Sequence, residues 1–283
     1  MPLNMRKPLA AVTLTTLLTA NAYGFSSDVS VQLPSLSVEN FFQLNSQYQT
    51  KLSEDHMNKF ATFLSATLLL TSQANASVYD ELASAGYQAD TATIETYVES
   101  SDRYLAAFAQ YKLAIASLVA GDNEKSLANA KAAQIALEKI VAESPEDAEA
   151  WSLLSMVKGF QIGLDYAQAV NLGPESDKAA RTALKLAPNN PRAHLASGLV
   201  AYHKPEQYGG SKTKAVEHFS QTIKLLAVED TNTIDWGLTE AYIWRAQAYS
   251  ALNQKQAAAG DLQEALVLSP NNGWVEEQLA NLK

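Results

Sequence analysis

The stretch 240–272, EAYIWRAQAYSALNQKQAAAGDLQEALVLSPNN, decides the fold of this chain. Small residues recur in it at the spacing of a packed helix pair, with Ala246 in the first helix and Ala258 and Ala265 in the second. They let two antiparallel helices approach closely, while Tyr242 and Leu262 fill the gaps between them. Pro270 then ends the second helix, because proline cannot continue a helix and pushes its predecessor out of the α region. The stretch therefore predicts a pair of packed helices.

Similar helix-ending phrases recur upstream, at Pro145 and Pro188. The prolines lie 43 and then 82 residues apart, and 82 is twice 41. The interval of 82 residues implies one further helix end midway, and a break without proline near Ala227 lies there. The repeat period is therefore about 40 residues, with two helices in each unit. Gly198 stands where two helices of one unit make close contact. From Ser77 onward the pattern predicts helices over 78–85, 91–100, 102–119, 123–143, 147–162, 176–187, 192–203, 212–226, 239–252, 255–269 and 274–282.

The joints between these helices carry three short signatures: Asn190-Pro191-Arg192, Tyr208-Gly209-Gly210, Trp236-Gly237. With them the chain resembles exported bacterial tetratricopeptide (TPR) repeat proteins over about 100–283. The resemblance implies an all-α, right-handed TPR-like solenoid of antiparallel helix pairs with a C-terminal capping helix, and no particular reaction. The Gly-Gly joint is also similar, more weakly, to the T component of TRAP transporters.

Two export-signal patterns precede the repeats. Residues 1–22 combine a basic start with an apolar run and the A-x-A site Ala20-Asn21-Ala22. Residues 57–76 repeat the pattern and end in Ala74-Asn75-Ala76. Both apolar runs are far shorter than the roughly 20 residues that span a bilayer. Between them, residues 23–56 show no sustained helical period and predict a segment of low order.

Two interpretations of these signals stay open. Translation could start at Met57, with residues 77–283 as the mature repeat domain, or the first signal could be used and residues 23–76 form a tail. Both predict an exported, periplasmic protein whose mature chain has no transmembrane anchor. The sequence leaves the oligomeric state and the envelope pathway open.

Composition excludes several classes of function. The formal net charge of −9, from 21 Lys+Arg and 30 Asp+Glu, argues against nucleic acid as a partner. The chain has no Cys, which removes disulfides, thiolate zinc sites and cysteine nucleophiles. His194 and His203 lie nine residues apart on one predicted helix and therefore point in nearly opposite directions. No catalytic residue, metal site or cofactor is predicted, and the chain is not expected to be an enzyme.

The first helix of each pair lines a concave groove in a TPR array, and this groove is the predicted binding site. Its mixture of aromatic, Met and charged side chains suits a protein or peptide partner in the cell envelope. Arg192 has two interpretations, a ligand contact or an ion pair with a neighbouring carboxylate. The alternatives to an interaction module are a ligand-binding accessory of a periplasmic transporter and an envelope enzyme with an unrecognised active site. The candidate binding residues are Glu149, Met156, Phe160, Arg192, Leu199, Tyr202, His203, Glu240 and Gln247.

Overall fold

The computed structural model describes residues 77–228 and 234–282, and every regular element within these ranges is helical. The two signal-like segments and residues 23–56 lie outside the described residues. Within the described ranges, no helix has the length and apolar character needed to cross a membrane.

Eleven α-helices are described, and short 3₁₀ turns at Tyr166–Gln168 and Glu206–Tyr208 lie in two of the joints. The helices are α1 (Val78–Tyr87), α2 (Thr91–Glu95), α3 (Arg103–Val119), α4 (Asn123–Glu143), α5 (Ala148–Leu164), α6 (Ala169–Leu186), α7 (Pro191–His203), α8 (Lys212–Leu226), α9 (Leu238–Ala251), α10 (Lys255–Leu268) and α11 (Gly273–Asn281).

The helices pack as four successive pairs. α3 packs on α4, α5 on α6, α7 on α8 and α9 on α10, and each pair also packs on the next. The short helices α1 and α2 pack on α3, and α11 packs on α10. The described residues therefore form an all-α, TPR-like solenoid with a C-terminal capping helix, as the repeat pattern predicted.

Most helix bounds agree with the sequence prediction, and two differ clearly. α2 ends at Glu95 instead of residue 100, because residues 96–99 form turns. α6 begins at Ala169 instead of residue 176, with Pro174 inside it. Pro174 has no backbone N–H to donate to the carbonyl of Val170. The helix tolerates this because Val170 lies in the exposed first turn, where water can donate to that carbonyl instead.

Helix starts are capped by short polar side chains. Asp122 accepts a hydrogen bond from the Lys125 amide at 2.9 Å, and Ser211 accepts one from Lys214 at 3.3 Å. The same arrangement begins four further helices of the stack, at Asp102, Asp147, Asn190 and Asn272. Each cap satisfies a backbone amide that has no partner within its helix.

Gly198 lies where α7 and α8 approach each other closely. A Cβ placed on it would lie 2.5–3.0 Å from atoms of the Phe219 ring, which is fully buried. That separation is too short for carbon atoms in contact, so only glycine fits without a shift of the ring. The predicted close-contact position is confirmed.

Ala265 offers a direct test of the repeat register. It is fully buried in one cluster with Ala246, Ala258, Leu262 and Val275. We expect Ala265→Leu to lower the free energy of unfolding by about 1–3 kcal/mol, because the added carbons overpack the joint of α9 and α10. Thermal melts of the purified variant measure this. The matched control is Ala257→Leu on the exposed side of the same helix, and equal melting temperatures for the two variants would contradict the assigned register.

Candidate interaction surface

The first helices of the four pairs, α3, α5, α7 and α9, contact one another, and the term inner face denotes the side on which they meet. Several of its predicted binding residues lie in the interior. Met156, Arg192 and Glu240 expose only 4%, 3% and 4% of their surfaces. Their side chains contact other parts of this chain, so any role of theirs in binding a partner would be indirect.

Arg192 forms the ion pair that was one of its two interpretations. Its Nε lies 3.1 Å from both carboxylate oxygens of Glu149, and its Nη2 lies 2.9 Å from Oε1. The Asn190 amide also donates to Glu149, at 2.6 Å. A two-pronged pair of this kind fixes orientation as well as charge. It therefore ties α7 to α5, one repeat upstream.

A second ion pair crosses the inner face. Lys112 of α3 donates to Glu240 of α9 at 2.6 Å, and the two side chains expose only 1% and 5% of their surfaces. The ammonium also lies 4.9 Å from the centre of the Phe108 ring, so the charge is additionally stabilised by the ring face. This pair joins the first helix pair of the solenoid to the fourth.

The segment before α9 fills the space around this ion pair. Trp236 is fully buried, its ring centre lies 5.0 Å from that of Phe108, and its Nε1 donates to the Tyr104 hydroxyl at 3.2 Å. Burial, together with the nearby charge of Glu149, raises the pKa of Tyr104 well above its usual value. Its hydroxyl therefore stays protonated. Gly237, with a φ of 115° that glycine adopts at little cost, then turns the chain into α9.

Helix α1 covers the same region from the N-terminal side. Tyr79 packs edge-on against Phe108 with ring centres 5.2 Å apart, and the Ser77 hydroxyl donates to the Asp235 carboxylate. Tyr87, at the other end of α1, packs against the apolar cluster that contains Ile243. The chain itself thus occupies much of the inner face between α3 and α9.

An aromatic cluster, formed by Tyr202, His203 and Trp244, remains accessible beside this filled region. The ring centre of His203 lies 4.8 Å from that of Tyr202 and 5.0 Å from that of Trp244, and the latter two are 5.7 Å apart. Tyr202 and Trp244 are half-buried, and His203 is exposed. α7 supplies the first two rings and α9 the third, so the cluster spans two repeats.

Lys212 sets the electrostatics of the aromatic cluster. Its ammonium lies 3.7 Å from the centre of the Tyr202 ring and donates to the Tyr202 carbonyl. Desolvation of the imidazole among the rings, together with the Lys212 charge, lowers the pKa of His203 from 6.5 to about 4. The exposed edge of the ring moderates this effect through solvent screening. His203 is therefore neutral at pH 7.

The remaining predicted residues border the cluster or lie farther along the face. Phe160 is half-buried and packs edge-on against Tyr111, with ring centres 5.6 Å apart. Leu199 is half-buried within the main apolar core. The Gln247 amide donates to Gln278 of α11 at 3.4 Å. Phe160, Leu199, Tyr202 and Trp244 are all half-buried against the main apolar core, which contains Met156.

Sequence reasoning missed three participants. Trp244 was not among the predicted binding residues, although it lies four residues after the predicted Glu240 and therefore on the same side of α9. Lys112 gave no signal, because its partner lies 128 residues away. His218 was not paired with His194, since the two lie on different helices. Across the described ranges, no group of three or more His, Cys, Asp or Glu side chains is arranged to hold a metal ion.

No family model and no curated protein matches this sequence. Among solved structures, the chain is similar to the TPR protein TTC0263 of Thermus thermophilus, with 21% identity over 69% of this chain and 90% of that one and a TM-score of 0.42. It is also similar to the HusA haemophore of Porphyromonas gingivalis, with 18% identity over 72% and 96% and a TM-score of 0.47. A third match is the TPR2AB domain–pHSP90 complex of yeast Sti1, with 17% identity over 86% and 93% and a TM-score of 0.32.

The Lys112–Glu240 pair should be essential to the stack. We expect Lys112→Met to lower the free energy of unfolding by about 3–5 kcal/mol, because it leaves a buried carboxylate without its partner. The double variant Lys112→Met/Glu240→Leu should regain most of this loss, since no buried charge remains. Urea unfolding of the purified chains measures both effects.

The control for this experiment is the exposed pair Arg103–Glu143, whose side chains are 56% and 55% exposed. Arg103→Met should change the free energy of unfolding by about 1 kcal/mol or less. Equal losses for Lys112→Met and Arg103→Met would contradict the structural role given to the buried pair.

Proposed function

We propose that this protein is an exported, TPR-type interaction module that binds a protein or peptide partner at the aromatic cluster and its border. The observation that supports the proposal is that one part of the inner face is filled by the chain itself while another part stays accessible. The part between α3 and α9 is filled by α1 and Trp236, whereas the rings of Tyr202, His203 and Trp244 remain within reach of a partner.

The cluster has the properties of an anchor site. Binding energy at protein interfaces concentrates in a few aromatic or Arg side chains near the centre of the contact. Aromatic rings that already pack on one another lose little conformational freedom when a partner arrives. Phe160 and Leu199 are further half-buried apolar side chains on the first helices α5 and α7, and Met156, Arg192 and Glu240 lie in the interior.

The chemistry of the cluster favours a partner with apolar side chains and an exposed backbone. His203 is neutral at pH 7, and Lys212 already contacts the Tyr202 ring and carbonyl. A strongly charged ligand would therefore meet little complementary charge there. An extended peptide or one face of an amphipathic helix offers suitable apolar groups at regular spacing.

Tyr202→Ala tests the proposal. We expect it to weaken the binding of a partner captured from the native cell envelope by about 1–3 kcal/mol, the range of a central anchor residue. The helical circular dichroism spectrum should stay unchanged, because Tyr202 is only half-buried.

The matched control is Lys185→Ala, an exposed position on the second helix of its pair, which should bind as the parent does. The proposal is wrong if the two variants bind the recovered partner equally well.

Export rests on the two signal patterns in the sequence. We expect the exported chain to begin near Ser77, after the second A-x-A site, which corresponds to translation from Met57. Sequencing the N-terminus of the protein recovered from the envelope checks this. An end near Tyr23 would show instead that the first signal is used, and recovery only from the cytoplasm would contradict export.

A further inference from the structure

His194 of α7 and His218 of α8 meet through their ring nitrogens. The two Nδ1 atoms lie 3.2 Å apart, and both side chains are half-buried. Thr222 holds the two helices together at this point, since its hydroxyl lies 3.1 Å from the carbonyls of both Pro191 and His218. These hydrogen bonds join the backbones of α7 and α8 beside the two imidazole rings.

The hydrogen bonds determine which nitrogen of His194 carries the proton. Its Nε2 lies 2.9 Å from the Pro188 carbonyl, which can only accept, so Nε2 must donate. In the neutral imidazole, Nδ1 then carries a lone pair that points at His218. Two arrangements satisfy a lone pair that faces a second ring nitrogen at 3.2 Å: His218 carries its hydrogen on Nδ1 and donates it, or both Nδ1 atoms bind one metal ion.

The geometry suits a metal ion. Two imidazole nitrogens bound at about 2.0–2.1 Å to a tetrahedral ion lie about 3.3–3.4 Å apart, close to the distance of 3.2 Å between these Nδ1 atoms. Histidines that bind metals usually donate their other ring N–H to a carbonyl or carboxylate, as His194 does to Pro188. We propose that His194 and His218 form a two-imidazole site for a borderline divalent ion such as Zn²⁺ or Cu²⁺, with water completing the coordination.

The protons balance when the site fills. His218 moves its proton from Nδ1 to Nε2 through solvent, so binding to the neutral pair releases no net proton. Desolvation, the charge of His194 and that of Lys214 lower the pKa of His218, and only Glu217 opposes them. Because only the deprotonated ring nitrogen binds a metal ion, protons compete with the ion, and affinity should fall as the pH is lowered.

The test uses the full chain, purified without a metal column and without a histidine tag, and titrates it with ZnCl₂ and CuCl₂ by calorimetry. We expect one ion per chain, bound at least about tenfold more weakly by His194→Gln and by His218→Gln. The electron paramagnetic resonance spectrum of the copper form should show coupling to two imidazole nitrogens, and the coupling should change to that of one nitrogen in either variant.

The matched control is His203→Gln, which removes an imidazole from the same helix α7 and should bind both ions as the parent does. Thermal melts confirm that the variants are folded. The proposal is overturned if the parent binds neither ion, or if His218→Gln binds them with unchanged affinity. In either case the two rings would be joined by a proton alone.

Discussion

The buried ion pair between Lys112 and Glu240 constrains the whole solenoid. Removing two charges from water costs several kcal/mol for each ion, and only a well-aligned partner offsets this. α3 and α9 must therefore stay within one ion-pair length at this point, with the first helices α5 and α7 between them in the order of the repeats. The main effect of the pair is to select one curvature of the stack and not to add net stability. Any other curvature would separate two buried charges from each other, which is costly.

The same constraint explains the composition of the inner face. Beside the ion pair that joins the first and fourth pairs, Trp236 and Phe108 are fully buried, and Tyr79 of α1 packs on Phe108. Arg192 and Glu149 then link the two middle repeats in a similar way. The sequence places these charged side chains in a ligand groove. In the structure, each of them instead forms an ion pair with a residue of another repeat.

The sequence predicted what depends on local rules. Prolines, caps and small residues such as Ala265 and Gly198 determine helix ends and close contacts, and these follow from spacing alone. The ion-pair interpretation of Arg192 was also available, since Glu149 lies about one repeat upstream. The Trp236-Gly237 joint was recognised from the sequence, whereas the contact of Lys112 with Glu240 was not, because that contact depends on the curvature accumulated over four repeats. A small rotation at each joint decides whether such residues face solvent or one another.

Curvature also decides which surface remains for a partner. α9 carries Glu240 near its N-terminus, where the ion pair holds it against α3, and Trp244 one turn later, where it packs instead against the end of α7. Within four residues, α9 therefore contributes Glu240 to the filled part of the inner face and Trp244 to the accessible aromatic cluster. The ion pair holds α9 in place, and the aromatic cluster one turn later on that helix is therefore also held in place while it stays accessible. This arrangement keeps exposed rings in place before a partner binds, which lowers the entropic cost of association.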